Sequence, residues 1–412
     1  RNWPKAKFTN IWSKDLSTNK MKTPILQLRA GEANRVRAGH PWIYQRSLQR
    51  PETAPPDGAW VEVVDQRQRF LGRGFWHNTS KIAVRLMTHQ RDEPDAVFWR
   101  RKIQAAIAHR KEVMPEATSL RLISSEADGL SGLIVDRYEN TLVLQITAAG
   151  MEQHRKLILA ALMDFEEPDC IVERNDVRSR EFEGLQQSKG VLHGELAGAV
   201  DAQLGGLNFA MDLLEGHKTG GYLDQQINHT LVAAHCAGKR VLDCFTFQGG
   251  FAVHAAKTGA SEVIGLDQSD EALNQARANA KANGVEASFE SANVFDWLKK
   301  NSGKGSREFD VVILDPPSFT RNRASVPDAL RGYKEIHLRA LRMLPPGGLL
   351  ATFCCSHHVD DDLFLDTILN AAADARKVLR LRERYSQSPD HPIVPAIRET
   401  EYLKGFLLEV LP

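Results

Sequence analysis

FDVVILDPPSF, residues 309–319, carries four apolar residues from Val311 to Leu314, three of them β-branched. A run of that kind reads as a strand buried on both faces. It stops at Asp315-Pro316-Pro317. Two prolines in a row lack amide donors and have a fixed φ, so the chain beyond Asp315 is stiff and cannot extend a ladder. An acidic side chain is therefore presented at the carboxyl end of a central strand, where open α/β sheets bind their ligands.

The surrounding sequence supports such a sheet. From Val200 onward strands and helices alternate: KRVLDCF, a helix after Gly249-Gly250, SEVIGLD ending at Asp267, and SDEALNQARANAKANG with Ser269 as N-cap and Gly284 past its end. ASFES, VFDWLKK, ALRGYKEIHLRALRML and GLLATFCC continue the series. Two late strands, near Val378–Arg384 and Tyr402–Glu409, read as a closing antiparallel hairpin.

Upstream the character differs. Pro24 to about Met87 is short strands and turns (VEVVD, FLGRGFW, IAVRLM), a small β domain. AVFWRRKIQAAIAHRKEVM predicts an amphipathic helix with Val97, Ile103, Ile107 and Val113 along one stripe. The runs GLIVDRYEN and TLVLQIT predict a hairpin, and the helix HRKLILAALMDF and strand CIVERND follow. The expected division is 1–20 as an extension ahead of Met21, 21–95, 96–198 and 199–412.

With 42% hydrophobic and 25% charged residues, the 412-residue chain has the composition of globular domains. No apolar run reaches the ~18 residues of a membrane span, and no signal peptide is visible. Five cysteines without CxxC spacing point away from a disulfide framework or zinc and toward a reducing cytoplasm. The net charge of +1 hides a division: residues 1–110 hold 21 Lys/Arg against 9 Asp/Glu, and the remainder 32 against 43. Such asymmetry suits a basic module facing a polyanion. Within it Arg29, Arg35, Arg37 and Arg46 surround Trp42 and Tyr44. Guanidiniums on phosphates and rings for stacking suit RNA; a core Trp42 amid solvated arginines suits the same residues.

Asp243 lies near the end of one strand, and Gly249-Gly250 opens the next helix, where backbone can approach a ligand. The spacing DCFTFQGG does not match a dinucleotide fingerprint. Asp267 stands where a ribose hydroxyl pair would bind, and Asn293 and Phe295 could reach an adenine edge and face. An adenosine with an amino-acid tail fits this acidic loop, implying S-adenosylmethionine. Lys218, Thr219, Tyr222, Asp224 and Gln225 make a loop too dense in donors for simple linkage; a helix start capped by Asp224 is the plainer reading, and the resemblance given below favours a ligand-facing loop. In TFCCSHHV, adjacent cysteines point to opposite sides of a strand, so at most one faces the cleft, where a thiolate can act as a nucleophile. His357 and His358 are adjacent and lack a third ligand nearby, so no metal is expected.

Several motifs in order resemble the ribosomal RNA large-subunit methyltransferase I family: GHPWIY (39–44), EADGLSGLIVDRY (126–138), ERNDVRSREFEGL (173–185), GHKTGGYLDQQ (216–226), LDCFTFQGGFAVHAA (242–256), LDPPSF (314–319) and FCCSHHV (353–359). The resemblance runs from Leu26 to the C-terminus. It implies an α/β chain with an N-terminal β-rich PUA domain that binds RNA, a central small α/β domain and a C-terminal Rossmann-like class I methyltransferase domain. The implied activity is S-adenosylmethionine-dependent methylation of carbon 5 of a cytosine in large-subunit (23S) ribosomal RNA. The nucleophile matches Cys355, and Asp315 matches the acidic residue that pairs with the cytosine edge. The implied cofactor residues are Lys218, Thr219, Tyr222, Asp224, Gln225, Asp243, Phe245, Gly249, Asp267, Asn293, Phe295 and Asp315. Phe353 departs from a Cys found in some relatives, and Cys354 from a small residue. Ser318 stands where two-cysteine relatives carry a second Cys, leaving open which group removes the final proton. An N6-adenine methyltransferase, which favours an aromatic residue directly after the prolines, and a catalytically silent RNA-binding protein are the alternatives. A cytoplasmic location, ribosomal RNA as partner and no membrane are expected; a homodimer is left open.

Overall fold

The computed structural model describes residues 23–216, 218–303, 309–320 and 322–412, so the 1–20 extension lies outside the described residues. Two compact units form. One holds the described residues up to Ala202 with Met211–Gly221 and Pro389–Thr400; the other holds Gln203–Ala210, Tyr222–Ser388 and Glu401–Pro412.

In the first unit, β1 (Ile25–Gln27), β2 (Trp42–Tyr44), β3 (Trp60–Val64), β4 (Phe70–Trp76) and β5 (Ile82–Thr88) make a sheet in the order β1-β3-β4-β5-β2. Its core is Leu26, Leu28, Val36, Ile43, Val61, Val63, Trp76 and their neighbours. Gly74 marks a register shift between β4 and β5, and a Cβ there would lie 2.0 Å from the Arg85 carbonyl oxygen. Only glycine admits that backbone approach.

A second sheet follows in the order β10-β9-β8-β7-β6, from β6 (Ser119–Ser124), β7 (Leu133–Tyr138), β8 (Thr141–Ile146), β9 (Cys170–Arg174) and β10 (Lys189–His193). β7 and β8 pair antiparallel as the hairpin read from sequence. The helix Ala96–Val113 packs on this layer through Ile103 and Ile107 of the expected stripe, but not through Val97. Val97 is 70% exposed, and Phe98, Trp99, Ile103, Ile107 and Arg110 face inward. Asp95 accepts from the Phe98 amide at 2.9 Å and fixes the phase of the first turn. The larger rings of Phe98 and Trp99 then take the buried face, against Trp60 and Phe75.

Residues 200–211 form a separate hairpin, β11 (Val200–Leu204) and β12 (Leu207–Met211), rather than the start of the alternation. Gly205 and Gly206, both at positive φ, make its turn.

The second unit carries a seven-stranded sheet ordered β15-β14-β13-β16-β17-β19-β18. Its strands are β13 (Arg240–Cys244), β14 (Glu262–Asp267), β15 (Ser288–Ser291), β16 (Val311–Leu314), β17 (Leu349–Cys354), β18 (Leu379–Ser386) and β19 (Lys404–Val410). β13 to β17 run parallel, and β19 is antiparallel to both β17 and β18. The four residues of β16 are fully buried, as the opening stretch required. Helices Gly250–Lys257, Asp270–Ala282, Val294–Asn301, Val326–Met343 and Asp361–Asp374 supply the crossovers and covering layers. β13 has β14 on one side and β16 on the other, which makes the carboxyl edge between β13 and β16 a topological switch point.

Candidate active site

Asp243 is the most deeply placed acid of that edge, with no exposed surface. Its Oδ2 accepts from Thr246 Oγ1 at 2.5 Å and from the Ala252 amide at 3.0 Å. Its buried Oδ1 has no hydrogen-bond partner among the described residues. Burial pushes its carboxyl up to about 7, against the pull of those hydrogen bonds and with the charges of Asp315 and Asp267 adding to it. The loop that follows is strained: Phe245 and Phe247 sit at φ of 64° and 50°, a region non-glycine residues seldom occupy. Gly249, at φ 82°, N-caps the next helix, and a Cβ there would press on Val253 and Ala276 at 3.2 Å.

Asp267 ends β14, half-buried. Its Oδ2 accepts from the Phe247 amide and its Oδ1 from the Ser269 amide, each at 3.0 Å. Each oxygen keeps a further lone pair for a hydroxyl donor. Asn293 is exposed and caps the helix Val294–Asn301 through the Asp296 amide at 3.3 Å. Phe295 lies 5.7 Å, ring to ring, from Phe319 of the DPPSF loop.

Tyr222 joins these groups. Burial first, then the charges of Asp315, Asp224, Cys355 and Asp267, push its phenol up to about 12, so all four lie within electrostatic reach of one ring. Asp224 is buried and does not cap the helix Gln226–Ala233. Instead its Oδ2 accepts from the Tyr402 hydroxyl at 2.8 Å. Gln225 is buried beside it; its Oε1 accepts from Asn228, and its Nε2 has no partner among the described residues.

Asp315 follows β16, half-buried, its amide 3.4 Å from the Cys244 carbonyl. On the neighbouring strand Leu314 is in register with Thr352, which sets Asp315 and Cys355 just past the ends of adjacent parallel strands. Cys354 points into the core, its thiol 3.4 Å from the Tyr333 hydroxyl. Cys355 is half-buried, whereas the other four cysteines are buried. The two loops touch: Thr320 Oγ1 hydrogen-bonds Ser356 Oγ.

The remaining residues singled out in the sequence belong to the first unit. Lys218 is exposed, at φ 53°, and Thr219 is buried, its hydroxyl on Asp136. Arg35 and Arg46 both lie over the Tyr44 ring, at 5.0 and 5.8 Å. Arg37 pairs with Asp65, and Arg29 Nε donates to the Leu48 carbonyl at 2.8 Å. Trp42 is half-buried, its indole donating to Glu126 Oε1 at 2.9 Å.

Comparison with known proteins settles the relationship. The ribosomal RNA large subunit methyltransferase I of Shewanella frigidimarina is 41% identical over 93% of this chain and 99% of its own length. That of Aeromonas hydrophila is 40% identical over 94% and 99%. The chain belongs to the ribosomal RNA large subunit methyltransferase I family. Residues 184–407 match the S-adenosylmethionine-dependent methyltransferase model and residues 26–89 a PUA-like domain. The fold is shared with an S-adenosylmethionine-dependent methyltransferase from Streptococcus mutans, at a TM-score of 0.80 and 20% identity over 94% of this chain and 100% of that one. A methyltransferase solved with S-adenosylhomocysteine gives 0.81 and 20% over 95% and 100%.

S-adenosylmethionine is the cofactor of this family, and the residues present fit it. A sulfonium and an ammonium suit an edge where Asp243 feels the charges of Asp315 and Asp267. A cofactor with an amino-acid end also needs one acceptor and one donor, and Asp243 Oδ1 and Gln225 Nε2 are a buried acceptor and donor without partners among the described residues. Sequence reasoning missed Phe247 and Tyr402, which hydrogen-bond Asp267 and Asp224. The crowded loop after Asp243 was a signal for Phe247; nothing local marks Tyr402. Among the described residues no cluster could hold a metal ion, and no helix is long and apolar enough to cross a membrane.

Proposed function

We propose that this chain methylates carbon 5 of a cytosine in large-subunit (23S) ribosomal RNA through a covalent adduct with Cys355. The observation that carries the reading is the placement of Cys355, the one half-buried cysteine of the five, past the end of β17 beside the strand that ends at Asp315. The substrate class in the relatives' names supports ribosomal RNA.

When bound, S-adenosylmethionine supplies an electrophilic methyl group. Asp267 would hold its ribose, Asn293 and Phe295 its adenine, and Asp243, Phe245, Gly249, Tyr222, Asp224 and Gln225 the rest. Carbon 5 of cytosine is a poor nucleophile until the Cys355 thiolate adds at carbon 6. Asp315 would hydrogen-bond the ring edge and steady the charge that develops on nitrogen 3. Once carbon 5 is methylated, loss of its proton expels the thiolate and restores the aromatic ring. The base must leave its stack to reach the cleft, so unpaired or flipped RNA is the reactive form. The PUA-like domain would supply RNA affinity through Arg29, Arg35, Arg37, Arg46 and Trp42.

RNA carrying 5-fluorocytosine tests the chemistry, because fluorine at carbon 5 blocks proton loss and traps the adduct. A stable complex whose cross-linked peptide contains Cys355 is expected. Methyladenosine as the product, or undiminished methylation by Cys355→Ala, would overturn the reading.

A further inference from the structure

Lys404 opens β19, in register with Cys354 of β17 on one side and Ser386 of β18 on the other. Its side chain is buried, at 6% exposure for the residue, and its ammonium donates to three main-chain carbonyls. These are Ser356 at 2.8 Å, Val359 at 2.7 Å and Tyr402 at 3.3 Å. An ammonium has three hydrogens, and each has an acceptor here. A buried lysine is costly unless compensated in this way. An apolar side chain in its place would leave the same carbonyls unsatisfied.

Two of the three acceptors bracket one turn. Ser356 and Val359 are its ends, and Cys355 directly precedes it. The stretch from Cys355 to Asp360 is in neither helix nor strand. The same stretch is also tied by Ser356 Oγ to Thr320 Oγ1, by the His358 amide to Ser356 Oγ at 3.3 Å, by the His357 ring 5.6 Å from that of Tyr402, and by the Phe364 amide donating to the Asp360 carbonyl at 3.0 Å. Both ends of the turn after the thiol are thus held by one charge on the adjacent strand.

We propose that Lys404 is a positioning residue for Cys355: its ammonium fixes the 356–359 turn and with it the place of the thiol at the sheet edge. The inference rests on the reading of Cys355 as nucleophile. Its effect should fall on the chemical step, since small misplacements of a reacting group reduce rate far more than binding.

The test uses the full chain with Lys404→Met, Lys404→Gln and Lys404→Arg. For Lys404→Met, kcat should fall about 100-fold while KM for S-adenosylmethionine moves less than about threefold. Amide exchange at Ser356–Asp360 should quicken at least about fivefold, with the amides of β13 and β14 unchanged. Lys404→Arg, which keeps a cation and its donors, should recover kcat to within about tenfold of wild type. If either kcat or exchange changes without the other, or if Arg recovers no more than Met, the inference is overturned. Should Lys404→Met fail to fold, judged by near-ultraviolet circular dichroism, the same readings on Lys404→Gln decide. Exchange is measured without turnover, so an active Cys355→Ala would sink the nucleophile reading separately from the clamp.

Discussion

Tyr402 donates its phenolic hydrogen to Asp224 Oδ2 at 2.8 Å, linking residues 178 positions apart in the chain. The bond pins a buried carboxylate between Tyr222 and Gln225, near the end of their shared motif. Tyr402→Phe removes one hydroxyl and keeps the ring. A lost hydrogen bond to a charged group costs about 1.5–3 kcal/mol, so the melting temperature should drop by several degrees. Affinity for S-adenosylmethionine, measured by calorimetry, should weaken about tenfold. Unchanged values for both would show that Asp224 needs no such anchor.

The two adjacent cysteines should behave in opposite ways. Cys355→Ala removes the proposed nucleophile and should reduce methylation at least ~1,000-fold in single-turnover assays without loss of stability. Cys354→Ala instead trims a buried side chain and should cost about 1 kcal/mol or more in chemical denaturation, with methylation retained. Full activity in Cys355→Ala would be fatal to the adduct mechanism.

Asp243 makes stability depend on pH in a particular direction. Burial raises its carboxyl from 3.8 to about 7 in the folded state. Between these values the native state keeps a proton that the unfolded chain has lost. The stabilisation is therefore fully present below about pH 4 and is lost as pH rises through 7; three units correspond to about 4 kcal/mol as an upper bound. Asp243→Asn keeps an acceptor for Thr246 and Ala252 but cannot ionise. Without cofactor, its melting temperature should match wild type near pH 4 and exceed it at pH 8. Parallel curves for the two proteins would contradict the shift.

In the PUA-like domain the arginines divide by what they already hold. Arg46 is exposed and lies over the Tyr44 ring, whereas Arg37 is engaged by Asp65. If Arg46 meets phosphate, Arg46→Ala should reduce the slope of log affinity for ribosomal RNA against log salt by about 0.7–0.9. Trp42→Phe should lower stability by about 1–3 kcal/mol through the lost bond to Glu126. An unchanged salt slope would remove Arg46 from the interface.

Local chemistry made much of this legible. β-branched runs, caps and prolines act over a few residues, so β16, its stop at Asp315, Asp267 at the end of β14 and the Ser269 cap could all be read from the chain. The same local rules failed at Val97, where periodicity alone could not weigh one valine against the two aromatic rings beside it.

The sequence by itself determined which residues end the strands of the catalytic sheet and, through its motifs, the family to which the chain belongs. Tertiary structure alone decided which side chains meet beside those strand ends. Tyr402 precedes and Lys404 opens a strand beside β17, and from there they reach Asp224, Ser356 and Val359, all distant in the chain. The unmatched Oδ1 of Asp243 is likewise a product of packing. Hydrogen-bond satisfaction in a buried site depends on which strands become neighbours, and no spacing along the chain encodes that order.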